Sequence, residues 1–355
     1  MSDDSLLLTF QSPGKKTRVY QPRVTSDNYL CSKSMTRVLI SETPFVDVDA
    51  QRSALERDDV TVEVRQTPTE ADVAEAAADA DALVVDVHTP VPAAALEDAD
   101  DLKLIARAGT GYDNIDVAAA TERGITVTNA PNYCTNEVAT QAFGLLLACR
   151  RRIPEADRDV RNGTWSWETD RPIRRVPGST LGLVSFGAIA RKLAEQVSGL
   201  GLDLLVYDPY VDEETVEEYG GSLVTFDELL EQSDALSVHP PLTSETRGMI
   251  GAEELARLPD HAIVVNVARG GIIDEEALYD ALTEGEIAAA GLDVLETEPP
   301  GDTPLLGLDN IVLTPHAGWY SIEAREELNA TVSRQIQQVF AGDQPVHAVD
   351  PDAWN

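Results

Sequence analysis

Two doubly wound, parallel-sheet α/β units are what this sequence predicts, and three observations predict them. Short apolar runs alternate with Ala-rich amphipathic stretches from Arg37 onward. A long apolar helix near 136–151 interrupts that rhythm, which resumes at Leu181. The run Thr180 to Ala190 then reads as strand, tight turn and helix start. Alternating β and α elements build parallel sheets whose faces are covered by helices. With 355 residues, 43% of them apolar, the chain can fill two cores of ordinary size.

The first clean strand is Arg37-Val38-Leu39-Ile40. Val60 to Val64, Ala82 to Asp86, Lys103 to Ala106 and Ile125 to Thr128 follow, separated by acidic, Ala-rich helices. The helix from about Asn136 to Arg151 is apolar on most faces through Ala142-Phe143-Gly144-Leu145-Leu146-Leu147. Such a helix has to be covered by another domain or another subunit. The second series has six expected strands: Leu181 to Ser185, Asp203 to Tyr207, Ala235 to Val238, Ala262 to Asn266, Ala288 to Leu292 and Ile311 to Leu313. That number matches a doubly wound nucleotide-binding sheet. The last helix, Ile322 to Phe340, is expected to pack back on the first unit. Residues 1–34 show no sustained periodicity and hold three of the five lysines. They read as a loose, disordered tail or as sequence upstream of a start at Met35, with the second reading preferred.

Composition narrows the partners. The formal net charge is -35, and most positive charge is Arg. The acids are interleaved with apolar residues, as in Glu253-Glu254-Leu255-Ala256 and Glu275-Glu276-Ala277-Leu278, and not collected in a tail. That distribution points to a folded surface adapted to high salt, where screening makes dense like charge tolerable. It disfavours nucleic acid and anionic membrane as partners. Cys31, Cys134 and Cys149 have no metal-ligand spacing and an odd count, so they read as reduced thiols of a cytoplasmic protein that binds no metal through them. The longest apolar run, Ala142 to Cys149, is too short for a membrane span.

The turn after the sixth expected strand is Ser185-Phe186-Gly187-Ala188-Ile189-Ala190, against a dinucleotide fingerprint of Gly-x-Gly-x-x-Gly. Gly187 keeps the position where backbone approaches a pyrophosphate at a helix N-terminus. Ala190 is an accepted variant, while Ser185 departs from the pattern. Asp208 ends the next strand about twenty residues on, where a carboxylate accepts ribose hydroxyls and repels a 2′-phosphate, favouring NAD over NADP. Further along, Arg269, Glu298 and His316 each stand at or just past a strand end, where an open α/β sheet binds its ligands. His316 is the best acid/base among five histidines, Glu298 is placed to favour its imidazolium, and Arg269 offers a planar fork for a carboxylate and its neighbouring carbonyl. Asp293 is a candidate acceptor for a nicotinamide carboxamide. On the first unit, Gly109-Thr110-Gly111 supplies amides for a substrate carboxylate, and His88-Thr89-Pro90 is a second candidate loop.

Four stretches in this order resemble the D-isomer-specific 2-hydroxyacid dehydrogenase family over about residues 36 to 345: Gly109-Thr110-Gly111-Tyr112-Asp113-Asn114-Ile115-Asp116, Val265-Asn266-Val267-Ala268-Arg269-Gly270-Gly271, Asp293-Val294-Leu295-Glu296-Thr297-Glu298-Pro299 and Thr314-Pro315-His316. The resemblance implies two Rossmann-like domains, the nucleotide-binding one inserted into the substrate-binding one. It puts residues 1–35 in an N-terminal extension, 36–133 and 318–355 in the substrate-binding part, and 134–317 in the NAD-binding part. It implies a homodimer through the long helix, with Arg269, Glu298 and His316 as the catalytic set. Implied cofactor contacts are Thr110, Ser185, Gly187, Ala188, Ile189, Asp208, Pro240, Thr243, Val267, Ala268, Asp293 and Gly318. Implied substrate contacts are His88, Gly109, Arg269 and Trp319.

Within the family, Tyr207-Asp208-Pro209-Tyr210, Asn162-Gly163-Thr164-Trp165 and His316-Ala317-Gly318-Trp319-Tyr320-Ser321 are similar to the phosphoglycerate dehydrogenases and the C-terminal binding protein branch. The implied reaction is hydride transfer between NADH and a small 2-oxo or D-2-hydroxy acid; phosphoglycerate, glyoxylate and hydroxypyruvate stay open as substrates. The other implied role is an NADH-sensing recruiter with little turnover. Ala188 stands where the family commonly has an arginine near the pyrophosphate, and too few residues follow His347 for the regulatory domain many phosphoglycerate dehydrogenases carry.

Overall fold

Runs of β-branched and leucine residues become two all-parallel sheets in the computed structural model, which describes residues 35–43, 45–55, 59–168 and 171–350. The first sheet contains β1 (Thr36–Ser41), β2 (Val60–Arg65), β3 (Ala82–Val85), β4 (Leu104–Arg107) and β5 (Thr126–Thr128), in the order β2-β1-β3-β4-β5. Its helices are α1 (Val48–Leu55), α2 (Glu70–Ala78) and α3 (Val117–Glu122). The chain then runs through α4 (Thr135–Arg151) and α5 (Ile153–Arg161) into β6 (Thr180–Val184), α6 (Ala188–Val197), β7 (Asp203–Tyr207), α7 (Glu213–Glu217) and β8 (Gly221–Leu223). It continues with α8 (Phe226–Gln232), β9 (Ala235–Val238), α9 (Ala252–Leu255), β10 (Ile263–Asn266), α10 (Glu275–Glu284), β11 (Ala289–Leu292), β12 (Ile311–Leu313) and α11 (Ile322–Ala341).

The second sheet is ordered β12-β11-β10-β9-β6-β7-β8. Strand order reverses between β6 and β9, and an open sheet binds its ligand outside the carboxyl ends at such a point. This sheet has a seventh strand where six were expected. Gly221-Ser222-Leu223 carries no β-branched residue and pairs only with β7 at the edge, so neither composition nor periodicity announces it.

Helix α4 buries one face, through Val138, Ala142, Leu145, Leu146 and Cys149, while Phe143 and Leu147 are half-buried and Gly144 is exposed. Contact with the second sheet is close because β11 carries Gly291, where a Cβ would lie 2.9 Å from Leu145 Cβ. A helix this apolar is therefore only partly covered by its own chain.

The chain then returns to the first sheet. Asn329 of α11 accepts from the Asp47 amide at 2.9 Å and from Gln51 of α1, while Gln335 accepts from Thr128 Oγ1 at 3.0 Å. The Val349 amide donates to Val127 O at 2.8 Å. Ser321 caps α11 by accepting from the Ala324 amide and also donates to Glu137 of α4 at 3.0 Å, tying the return to the helix that began the excursion. Residues Thr36–Asn355 form one compact unit. The tail expected at 1–34 lies outside the described residues.

Candidate active site

The turn after β6 opens onto solvent. Gly187 is the N-cap of α6 without a side-chain cap, and a Cβ placed on it would meet nothing within 4 Å. The first amides of α6 therefore keep free donors beside open space, the arrangement that receives a phosphate. Ser185 stands at φ 70°, the left-handed region that favours glycine, which explains why its departure from the fingerprint matters. Its hydroxyl faces Asp208 Oδ2 at 3.2 Å, a local bond that offsets part of the strain. The same carboxylate accepts from the Phe186 amide at 2.7 Å and, through Oδ1, from the Tyr210 amide at 2.8 Å. A carboxylate has about four lone-pair positions, so Asp208 holds the turn and retains capacity for a hydroxyl. An open helix terminus with this carboxylate beside it fits a dinucleotide.

An arginine does reach this turn, from three positions beyond Ala188. Arg191 Nε donates to Phe186 O at 2.9 Å and its guanidinium lies 5.5 Å from the Phe186 ring centroid. Of the other expected cofactor contacts, Ala188 is exposed and Ile189 half-buried on the first turn of α6. Pro240 is buried just past β9, and Thr243 is half-buried in the loop after it, accepting from the Thr246 amide. Val267 and Ala268 follow β10, where the Ala268 amide donates to Asn266 Oδ1.

The carboxyl ends of β10, β11 and β12 lead into the segments that hold Arg269, Glu298 and His316. His316 Nδ1 is 2.7 Å from Glu298 Oε2, each side chain about 20% exposed, which leaves Nε2 of His316 free. His316 is at φ 50°, held there by its amide donating to Asp293 O at 2.8 Å and Thr314 O at 3.0 Å. Strain of this kind persists only where surrounding bonds over-determine it. Burial pushes the Glu298 carboxyl up, but the hydrogen bond and charge of His316, with the Leu295 amide at 3.0 Å and the His88 charge, hold it below the usual carboxylate range.

Asp293 is buried and accepts from Thr314 Oγ1 at 2.5 Å, the Ala317 amide at 3.0 Å and the Gly318 amide at 2.8 Å, so it builds the loop that presents His316. Burial first, countered by those donors, raises its pKa. Gly318 has to lack a side chain, because a Cβ would come within 2.7 Å of Asp293 Oδ2.

The first sheet supplies the facing wall. His88, just past β3, sits with Nε2 3.9 Å from Glu298 Oε2 and Nδ1 3.5 Å from Asp86 Oδ2. Asn114 joins the loops after β3 and β4 by donating to Asp86 O at 2.8 Å and Thr89 O at 2.6 Å. Trp319 packs against Phe45 with centroids 4.7 Å apart and Tyr133 at 6.4 Å, and Phe45 is 6.0 Å from His88. Arg269 crosses to the loop after β4: its Nε donates to Asp113 Oδ1 at 3.1 Å, and a Cβ on Gly111 would fall inside its guanidinium. Gly270 presses on Leu295, two residues from Asp293 and three from Glu298, so tightly that no Cβ fits. The contacts thus close a circuit: Arg269 to Asp113, Asn114 to the His88 loop, His88 to Glu298, and Leu295 back to Gly270. Thr110 lies on this loop, exposed, with Oγ1 donating to Ala130 O.

Residues 143–318 match the family D-isomer specific 2-hydroxyacid dehydrogenase, NAD binding domain. A glyoxylate reductase of Korarchaeum cryptofilum is 44% identical over 289 residues, covering 80% of this chain and 87% of that protein. The chain belongs to this family. A D-3-phosphoglycerate dehydrogenase of Methanocaldococcus jannaschii is likewise 44% identical over 283 residues, 79% of this chain but 54% of that one. The chain spans about half the length of the phosphoglycerate dehydrogenases it matches. Among solved structures, a D-lactate dehydrogenase of Aquifex aeolicus in complex with NAD and lactic acid superposes with TM-score 0.78 at 28% identity, over 86% of this chain and 96% of that one. The two-sheet architecture is that of the 2-hydroxyacid dehydrogenase family, and the chain carries the family's NAD-binding domain.

Sequence alone does not place two residues of this cleft, Arg107 and Asp113. Arg107, at the end of β4, is buried directly beneath Gly109, where a Cβ would fall inside its guanidinium. Burial, then the charge of Arg269, lowers its pKa to about 10. The pairing of Asp113 with Arg269 spans 156 residues, and no local pattern signals it. Among the described residues no group of three or more His, Cys, Asp or Glu is arranged to hold a metal, and no helix is long and apolar enough to cross a membrane.

Proposed function

We propose that this protein is an NAD-dependent oxidoreductase that transfers hydride between NADH and a small 2-oxo or D-2-hydroxy acid. The observation that carries the reading is the His316–Glu298 pair at 2.7 Å, its free Nε2 sharing the cleft with the guanidinium of Arg269. Thr36 to Tyr133, together with the stretch after Ala317, form the substrate-binding part, and 134–317 the cofactor part.

NAD, when bound, supplies or accepts the hydride. The chain's residues do the rest. The α6 amides at Gly187 and Ala188 and the carboxylate of Asp208 hold the dinucleotide, with Thr110, Ser185, Ile189, Pro240, Thr243, Val267, Ala268, Asp293 and Gly318 lining its course. Arg269 and the amides of the Gly109 loop hold the substrate carboxylate. His88 and Trp319 flank the substrate's remaining atoms. His316 gives a proton from Nε2 to the carbonyl oxygen during reduction and takes it back during oxidation. Glu298 stabilises the imidazolium and fixes the proton on Nδ1. Replacing His316 by alanine is expected to remove most turnover, about a hundredfold or more, with NADH binding by fluorescence titration unchanged; full activity in that variant would refute the assignment.

A homodimer is part of the same proposal. Trp165 and Trp167, after α5, are 89% exposed, Ile153 and Val160 of α5 are exposed as well, and one face of α4 is only partly covered. Exposed aromatic and aliphatic side chains of this kind suit an interaction surface. Equilibrium sedimentation should give a dimer that the double variant W165S/W167S converts to monomer; a monomeric parent would refute it. We also assign the acidic surface to a cytoplasm of high salt.

A further inference from the structure

We infer that Asp113 is a tethered stand-in for the substrate's carboxylate: it occupies Arg269 when the site is empty, and the incoming acid has to displace it. The inference rests on the reading of Arg269 as the substrate's carboxylate-binding group.

The geometry of the guanidinium carries it. Arg269 Nη1 donates to Ala268 O at 2.8 Å, its Nε to Asp113 Oδ1 at 3.1 Å, and Nη2 lies against Gly111. Bidentate recognition of a carboxylate needs two parallel N–H groups on one edge of the fork. At the end of the fork, one of the two N–H groups of Nη1 donates to the chain's own carbonyl. The side edge, Nε with Nη2, has its Nε committed to Asp113. A substrate carboxylate therefore gains the Nε–Nη2 edge only by taking the place of a carboxylate already there.

The surroundings explain why a carboxylate waits in that position. Asp113 lies close enough to both Arg269 and the buried Arg107 to act on each, and the two guanidinium charges act against one another. Two cations beside one another without an anion are costly, and Asp113 offsets that cost until the substrate takes over the task. Gly109 and Gly111 leave room for the two guanidinium groups, one each, so the loop is shaped around the pair. The Asp113 side chain is 33% exposed, so once displaced it passes into water at low cost. Such an arrangement lowers affinity for the acid without touching the reacting atoms.

The test is Asp113→Asn, which keeps shape and removes charge, with Asp113→Ser as a second variant should the first fold poorly. Steady-state NADH oxidation should show KM for the oxo acid falling about threefold, the size of a partly exposed ion pair, with kcat within about twofold of the parent. Calorimetric titration of oxamate into the NADH-loaded protein should show a matching gain in affinity. If Asp113 instead holds Arg269 in its productive place, KM rises and oxamate binds more weakly, and the inference falls; an unchanged KM and affinity also overturn it. Should neither parent nor variant oxidise NADH with any 2-oxo acid, the reaction assignment fails. The oxamate titration still decides on Asp113: tighter binding in the variant supports displacement, and equal or weaker binding rejects it.

Discussion

Replacing Glu298 by glutamine tests the proton chemistry of this site with little change in volume. The native carboxylate accepts from the Leu295 amide through Oε1 and faces His316 Nδ1 through Oε2 at 2.7 Å. Glutamine can keep the first contact with its carbonyl oxygen, which turns its NH2 toward the imidazole. His316 Nδ1 must then accept, and the neutral ring carries its proton on Nε2, the nitrogen that has to change protonation during the reaction. The loss is that of a charge-assisted hydrogen bond in a partly buried site, about 1.5–3 kcal/mol. At 1.36 kcal/mol per decade this is a fall in kcat of about ten- to 150-fold.

The assay is NADH oxidation at saturating oxo acid, paired with NADH fluorescence titration. Cofactor affinity should be unchanged. A kcat within twofold of the parent would refute the role given to Glu298. A second readout follows from the lowered Glu298 carboxyl. A depressed folded pKa contributes stability that is fully present above the unfolded value, about 4.3, and is lost as pH falls through the folded value. The parent's melting temperature should therefore drop more steeply below about pH 4.3 than that of the glutamine variant.

Two further substitutions probe the frame. Gly270→Ala should cost several kcal/mol, on the order of 3, because a Cβ there would overlap the Leu295 backbone; thermal melts should show it, and a melting temperature within 2 °C of the parent, about 1 kcal/mol or less in a chain of this size, would contradict the packing. Asp208→Ala should relax discrimination against NADP and weaken NADH binding, because the carboxylate also holds the Phe186 amide. An unchanged NAD-to-NADP ratio of kcat/KM would remove Asp208 as the ribose acceptor.

Much of the architecture was legible because buried parallel strands need unbroken apolar runs, as in Val38-Leu39-Ile40 and Val264-Val265. Strand β8 was not legible, since three residues at a sheet edge are held by pairing and not by their own pattern. At the site, Arg269, Glu298 and His316 stand out because strand ends are where ligands bind, and the structure brings all three to one cleft. Their partners do not stand out. Asp113 pairs with Arg269 across 156 residues, and His88 approaches Glu298 from another sheet. Asp293, expected as a ligand acceptor, also supports the His316 loop, a task visible only once Thr314, Ala317 and Gly318 surround it. Ser185 departs from the fingerprint in side chain only, since it adopts the left-handed backbone a glycine would supply.

The most direct test of the central claim is NADH oxidation in molar KCl against glyoxylate, hydroxypyruvate, pyruvate, 2-oxoisocaproate and phosphohydroxypyruvate. The account predicts turnover on at least one of them, lost when His316 is replaced by alanine. NADH bound with no turnover on any would contradict it and point to a sensing and recruiting protein.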